Sequence, residues 1–189
     1  MVNVALLKSA TLLLLLVATF PFIYYLITIV SAIRFFGRPR SPRNTTFLPP
    51  VSNLKPIRGV DPDAYENFAS LCRQNYPEFE LLFCVSDRED PVVPVIEKLA
   101  RDFPDHEIRI LYGSGRNGVN DKVAKLARLA SEAKYEYLVI NDSDVRVEPD
   151  YFRTVVAPLS NPELGAVTCL YAPIAEHSFT DRLQNIGMM

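Results

Sequence analysis

Apolar residues fall along this chain in two regimes. From Ser9 to Ile33, SATLLLLLVATFPFIYYLITIVSAI, 25 residues pass without a charge. As one helix they span about 37 Å, more than the ~30 Å hydrocarbon core of a bilayer. Beyond residue 50, short apolar runs of strand length alternate with amphipathic stretches of helical period. The runs predict strands at VSNLKP (51–56), FELLFCV (79–85), EIRILY (107–112), YEYLVI (135–140) and GAVTCLY (165–171). The periodic stretches predict helices at DPDAYENFASLCRQ (61–74), DPVVPVIEKLARDF (90–103), NDKVAKLARLASEA (120–133) and EPDYFRTVVAPL (148–159). Phe68, Leu71 and Cys72 share one face of the first helix, with Asp61 as its expected cap and Pro62 at its first position. Val95, Ile96 and Leu99 form the stripe of the second, and Val123, Leu126, Ala127 and Ala130 that of the third. Strands alternating with helices imply an α/β domain with a mainly parallel sheet and right-handed crossovers. Ligands of such sheets bind beyond the carboxyl ends of the strands.

The first apolar segment reads as a membrane anchor over 9–33, with Pro21 expected to kink it. A cleaved signal peptide is the alternative, and VSA at 30–32 would serve as its cleavage site, but the apolar stretch exceeds the usual h-region of roughly 7–15 residues. Arg34, Arg38, Arg40 and Arg43 follow the segment, against Lys8 and the amino terminus before it. That asymmetry predicts a cytoplasmic domain after the anchor. Residues 34–49, rich in Pro and Arg, read as a linker, and 50–189 as the domain. The NTT sequon at 44–46 is then a chance match, because a cytoplasmic site is not glycosylated.

Charge and cysteine content narrow the classes. Twenty basic against 22 acidic residues leave no field that would attract nucleic acid. Three cysteines, Cys72, Cys84 and Cys169, contain no C-x-x-C pair. They are expected to be small buried residues in a reducing compartment, and with two histidines they make no zinc site.

The candidate chemistry lies just after the strands. NDSDVRV (141–147) places Asp142 and Asp144 where the fourth strand emerges. Such a pair can hold Mg²⁺ or Mn²⁺ through hard oxygen ligands, and the alternative is a solvated acidic turn. Asp87, after the second strand, either accepts hydrogen bonds from a ribose or base or caps the next helix. Lys55 and Lys122 can neutralise phosphate or remain solvated surface. Gly113, Gly115 and Gly118 match the G-x-G-x-x-G spacing of a dinucleotide fingerprint, and Asp142, 24 residues beyond Gly118, suits a ribose-binding acid. Two features oppose an oxidoreductase: the fingerprint belongs to the first βα turn, whereas this run follows the third strand, and capping by Asn120 or Asp121 leaves Gly118 outside the helix.

Four motifs in order over about residues 49–171 carry a family resemblance. Leu54 to Asp61 reads Leu-Lys-Pro-x-x-Gly-x-Asp, and the second motif, Asn75 to Asp87, runs from Asn-Tyr-Pro (75–77) into a phenylalanine-containing strand that closes on an acid (83–87). GVNDKVAKL and NDSDVRV follow. These segments resemble the ceramide glucosyltransferase-like group within the family 2 glycosyltransferases. GAVTCLYAP and RLQNIGM resemble most its bacterial hopanoid-biosynthesis members, which implies a bacterial inner membrane. The resemblance implies a GT-A fold, Rossmann-like with a mainly parallel sheet, behind one transmembrane helix. It also implies a UDP-sugar donor, a membrane lipid acceptor of hopanoid or ceramide type, and Mg²⁺ or Mn²⁺ as cofactor. Its nucleotide-sugar residues would be Lys55, Gly59, Asp87, Gly118, Asn120, Lys122 and Asp142, and its metal ligands Asp142 and Asp144. Some relatives carry glycine at the position of Asp144. The group also carries a later general base and a Gln/Arg-x-x-Arg-Trp segment; this sequence has no tryptophan, and Glu176 and Asp181 sit in no base motif. The expectation is therefore an N-terminal part that binds nucleotide without transferring sugar. A noncatalytic nucleotide-sugar-binding membrane protein is the alternative of another class.

Overall fold

The computed structural model describes residues 4–37, 46–113, 120–169 and 171. The chain divides into two compact units, Met1–Pro42 and Arg43–Met189. The first is helix α1, Val4–Phe36, which runs unbroken through Pro21. Its segment Lys8–Phe36 is long and apolar enough to cross a membrane. Thr19 and Thr28 donate their hydroxyls to the carbonyls of Leu15 and Tyr24 at 2.7 and 2.9 Å. These polar groups are thus satisfied within the helix itself, as an apolar surrounding requires.

The second unit is a four-stranded sheet with helices between the strands. Its elements are β1 (Val51–Pro56), α2 (Ala64–Cys72), β2 (Phe79–Val85), α3 (Val93–Asp102), β3 (Glu107–Tyr112), α4 (Asp121–Glu132), β4 (Tyr137–Ile140) and α5 (Tyr151–Val156), closed by a 3₁₀ turn, Ala157–Ser160. The strand order is β3-β2-β1-β4 and every pairing is parallel. The chain therefore adds strands on one side of β1 and then crosses to the other. This reversal leaves a crevice at the carboxyl ends of β1 and β4, where open α/β sheets take their ligands.

Both inner strands are covered on both faces. On one face Phe68 of α2 packs edge-on to Phe83 of β2 with ring centroids 5.2 Å apart, in a cluster with Ile96, Leu99 and Phe152. Each such side chain contributes roughly 1.5–3 kcal/mol relative to exposure. On the other face Leu54, Leu82 and Cys84 meet Leu129 of α4. The apolar run of β2 suits this position, but β1 also buries Ser52, Asn53 and Lys55. Buried polar groups need partners, and β1 finds them across the sheet. Ser52 donates to the fully buried Glu80 at 2.5 Å and accepts from the Tyr135 N–H at 3.1 Å, while Glu80 also accepts from the Lys134 N–H at 2.6 Å.

Several sequence expectations are corrected. Asp61 does not cap α2 through its side chain and Pro62 lies before the helix; Asp63, at φ 57°, holds the N-cap position without a side-chain bond. The left-handed residue makes Asp-Pro-Asp a turn and delays the helix to Ala64. In α4 the buried residues are Ala124, Lys125 and Leu129, whereas Val123 is 59% exposed and Ala127 and Ala130 face solvent. The face is rotated because Lys125 turns inward, its ammonium donating to the Ile57 carbonyl at 2.8 Å and pairing with Asp121 at 2.8 Å. The fifth strand is absent among the described residues: 165–169 form no regular element and are exposed, and an apolar run without a neighbouring strand makes no ladder. Cys169 is accordingly exposed, while Cys72 and Cys84 are buried.

Candidate functional site

The crevice is built from the last residues of β1 and β4. Asn53 donates to the Val139 carbonyl at 3.3 Å and to the side-chain oxygen of Asn141, and Asn141 in turn donates to the Tyr151 hydroxyl at 2.9 Å. This buried amide chain fixes the point at which β4 ends. Sequence reasoning missed it, although Asn141 directly precedes the acidic pair and a polar residue closing a buried strand is a signal. Beyond it the chain turns, with the Val145 N–H reaching back to the Asp142 carbonyl at 3.4 Å. Asp142 and Asp144 thus lie on one tight turn.

Three of the expected residues meet here. Lys55 is 1% exposed; its stem lies beside the Phe68 ring, 5.4 Å from ammonium to centroid, and its ammonium donates to the Asp142 main-chain carbonyl at 2.6 Å. Burial pulls its pKa down from 10.5 to about 8, against the opposing pull of Asp142, Asp144 and Asp61. Lys55 therefore supports the turn from beneath instead of presenting its charge to solvent. Lys122, half-exposed on the first turn of α4, pairs with the Asp142 carboxylate at 2.6 Å. Asp144 is exposed, and its carboxylate has no hydrogen bond or ion pair among the described residues.

The remaining expected residues stand around this centre. Asn120 caps α4, its side-chain oxygen accepting from the Val123 N–H at 3.2 Å. Gly59 adopts φ 74°, which favours glycine, and its N–H donates to both oxygens of Asp90 at 3.2 Å. Asp87 is exposed at the end of β2 and accepts from the Glu89 N–H at 2.9 Å; it closes a local turn and does not cap α3. Neither Gly59 nor Asp87 is joined to Asp142 by a direct contact. Gly118 lies outside the described residues. Arg128 was not anticipated: its guanidinium binds the carbonyls of Tyr112 and Gly113 and pins the start of the glycine run. That run follows β3, the edge strand and two strands from the crevice. This position removes the main support for a dinucleotide fingerprint, which belongs at the first strand beside the crossover.

No group of three or more His, Cys, Asp or Glu side chains that could hold a metal exists among the described residues. Two carboxylates on one turn still fit Mg²⁺ or Mn²⁺, because such ions keep waters and take substrate phosphate oxygens as further ligands. Asp142 already attracts a cation in the form of Lys122. Its other support, Lys55, binds the main chain and occupies neither carboxylate oxygen.

The chain resembles known glycosyltransferases in fold and in sequence. It superposes on the mannosyltransferase PcManGT of Pyrobaculum calidifontis, solved with GDP-Man and Mn²⁺, with a TM-score of 0.71 and 24% identity over 84% of this chain and 46% of that one. The fold is thus of the GT-A type, with one apolar helix ahead of it. It is 37% identical to the ceramide glucosyltransferase of Komagataella phaffii over 134 residues, 66% of this chain and 26% of that enzyme. Against ceramide glucosyltransferase 1 of Caenorhabditis elegans it is 34% identical over 122 residues, 64% of this chain and 26% of the relative. It spans about a quarter of the length of these relatives. The ceramide glucosyltransferase-like resemblance carried by the four motifs is borne out: residues 13–189 match the profile of glycosyl transferase family 21, and the chain belongs to that family.

Proposed function

We propose that this chain is the nucleotide-sugar-binding part of a membrane-anchored, inverting glycosyltransferase that moves a hexose or N-acetylhexosamine from a UDP-sugar to a lipid hydroxyl of ceramide or hopanoid type. The observation that carries the reading is the Asp142 turn: a carboxylate pair at the crossover of a parallel sheet, with its main chain held by a buried ammonium at 2.6 Å. Membership of family 21 and the ceramide glucosyltransferase relatives support a lipid acceptor. The apolar helix supports an anchor over residues 9–33, which would keep enzyme and lipid in one plane. The arginines after it favour a cytoplasmic domain, and the hopanoid-like segments favour a bacterial inner membrane.

In this reading the donor lies across the carboxyl ends of the strands. Asp87 accepts hydrogen bonds from the uridine, Asn120 and the stem of Lys122 line the ribose and base, and Gly118, outside the described residues, belongs to the same set by the family resemblance. Gly59, bound to Asp90, gives the β1 loop the left-handed backbone that lets it pass close to the nucleotide. Lys55 keeps the turn in place, so that the carboxylates of Asp142 and Asp144 point at the diphosphate. A divalent cation held by them would neutralise the charge that grows on UDP as the sugar departs. The group that takes the acceptor proton belongs to none of the residues above.

The test is a calorimetric titration of the detergent-solubilised chain with UDP, with and without Mn²⁺. Binding should require Mn²⁺ and be lost in Asp142→Ala, while NAD should not bind. Metal-independent UDP binding that survives Asp142→Ala would remove the reading, and tight NAD binding would favour an oxidoreductase.

A further inference from the structure

The geometry points to Lys122 as a competitor for the cation at Asp142, built so that nucleotide and metal bind together and the metal alone binds weakly. This rests on the reading of Asp142 as a metal ligand. Lys122 places its ammonium 2.6 Å from one of the two Asp142 carboxylate oxygens. The other oxygen is open to a ligand, but a divalent ion there would stand a few ångströms from the ammonium, and like charges at that range repel and weaken its binding.

Neither partner can relieve the conflict by retreating as a whole. Asp142 is held from below, its carbonyl bound to the buried Lys55. The start of α4 is held by the Asn120 cap and by Lys125, which ties the helix to the Ile57 carbonyl and to Asp121. What remains free is the side chain of Lys122, 55% exposed and on a flexible stem, unlike the buried Lys55 and Lys125. A diphosphate arriving at the turn brings stronger acceptors within reach of Lys122. The ammonium would then turn from Asp142 to a phosphate oxygen, and the carboxylate, relieved of the competing charge, would hold a divalent cation more tightly. Each ligand thereby raises the affinity for the other by one common factor.

The experiment compares the full chain with Lys122→Gln, Lys122→Met and Lys122→Arg, reading free Mn²⁺ by its paramagnetic resonance signal, first alone and then with saturating UDP. Circular dichroism checks that each variant is folded. A half-exposed ion pair is weak, so without nucleotide the Gln and Met variants should bind Mn²⁺ about 2- to 5-fold more tightly than wild type. The factor by which UDP tightens Mn²⁺ binding should fall by a similar amount, and Lys122→Arg should behave as wild type. Unchanged or weaker Mn²⁺ binding in the neutral variants overturns the inference, as does an unchanged coupling factor. If wild type binds no Mn²⁺ even with UDP, the metal reading fails and takes the inference with it. That outcome is distinct, since Asp142→Asn then changes nothing either.

Discussion

Lys55→Met should stabilise the protein at neutral pH. In the folded chain the Lys55 pKa falls from 10.5 to about 8, chiefly through burial. The folded pKa lies below the unfolded one, so between about 8 and 10.5 the unfolded chain holds the extra proton and stability rises with pH. Below pH 8 both states are charged and the full penalty of the buried ammonium applies, about 3 kcal/mol at ~1.4 kcal/mol per unit. Methionine removes that penalty and fills similar volume, but it cannot donate to the Asp142 carbonyl, which loses about 1 kcal/mol. The expected net gain is about 2 kcal/mol at pH 7, for protein free of metal and nucleotide. At pH 9.5 the wild-type lysine is largely neutral in the fold, and the advantage should shrink by about 2 kcal/mol. Urea unfolding followed by far-UV circular dichroism at both pH values measures the difference between the two proteins. Destabilisation by more than about 1 kcal/mol at pH 7, or a difference that does not move with pH, would refute the reasoning.

Gly59→Ala should lower stability by about 1 kcal/mol in the same assay, because φ 74° strains any side chain. No atom stands within 4 Å of the added Cβ, so Gly59→Asn, which tolerates that backbone better, should lose less. Asn141→Leu should lower stability by about 2 kcal/mol, since the buried amide of Asn53 keeps only the Val139 carbonyl and the Tyr151 hydroxyl loses the Asn141 amide. The double change Asn53→Leu with Asn141→Leu should cost less than the sum of the two single changes, and additivity would show that the amide chain is not a unit.

The fold was legible where burial follows residue type. The apolar run 79–85 sits on an inner strand, and Phe68, Leu71, Ile96 and Leu99 are buried as their period predicts. Asn120 could be placed at the start of α4 because capping depends on local chain geometry, and it caps there. The candidate site was legible only in outline. Asp142 and Asp144 stand out in the sequence because the positions just after strands are few, whereas Lys122, on the first turn of α4, is brought to Asp142 by the fold. The depth of each lysine could not be read in the same way. A lysine defaults to solvent by type, yet Lys55 and Lys125 are each 1% exposed while Lys122 is open. What separates them is the packing of helices on the sheet. The α2 side and the α4 side cover the two faces of the inner strand β1, and α4 packs onto β1 and β2 through the face that carries Lys125. A buried ammonium must then find an oxygen at the end of its stem, and the nearest ones are the carbonyls of the loops that leave β1 and β4. The same topology thus turns Lys55 and Lys125 into supports for the loops that leave β4 and β1, and leaves Lys122 on the surface, paired with the Asp142 carboxylate.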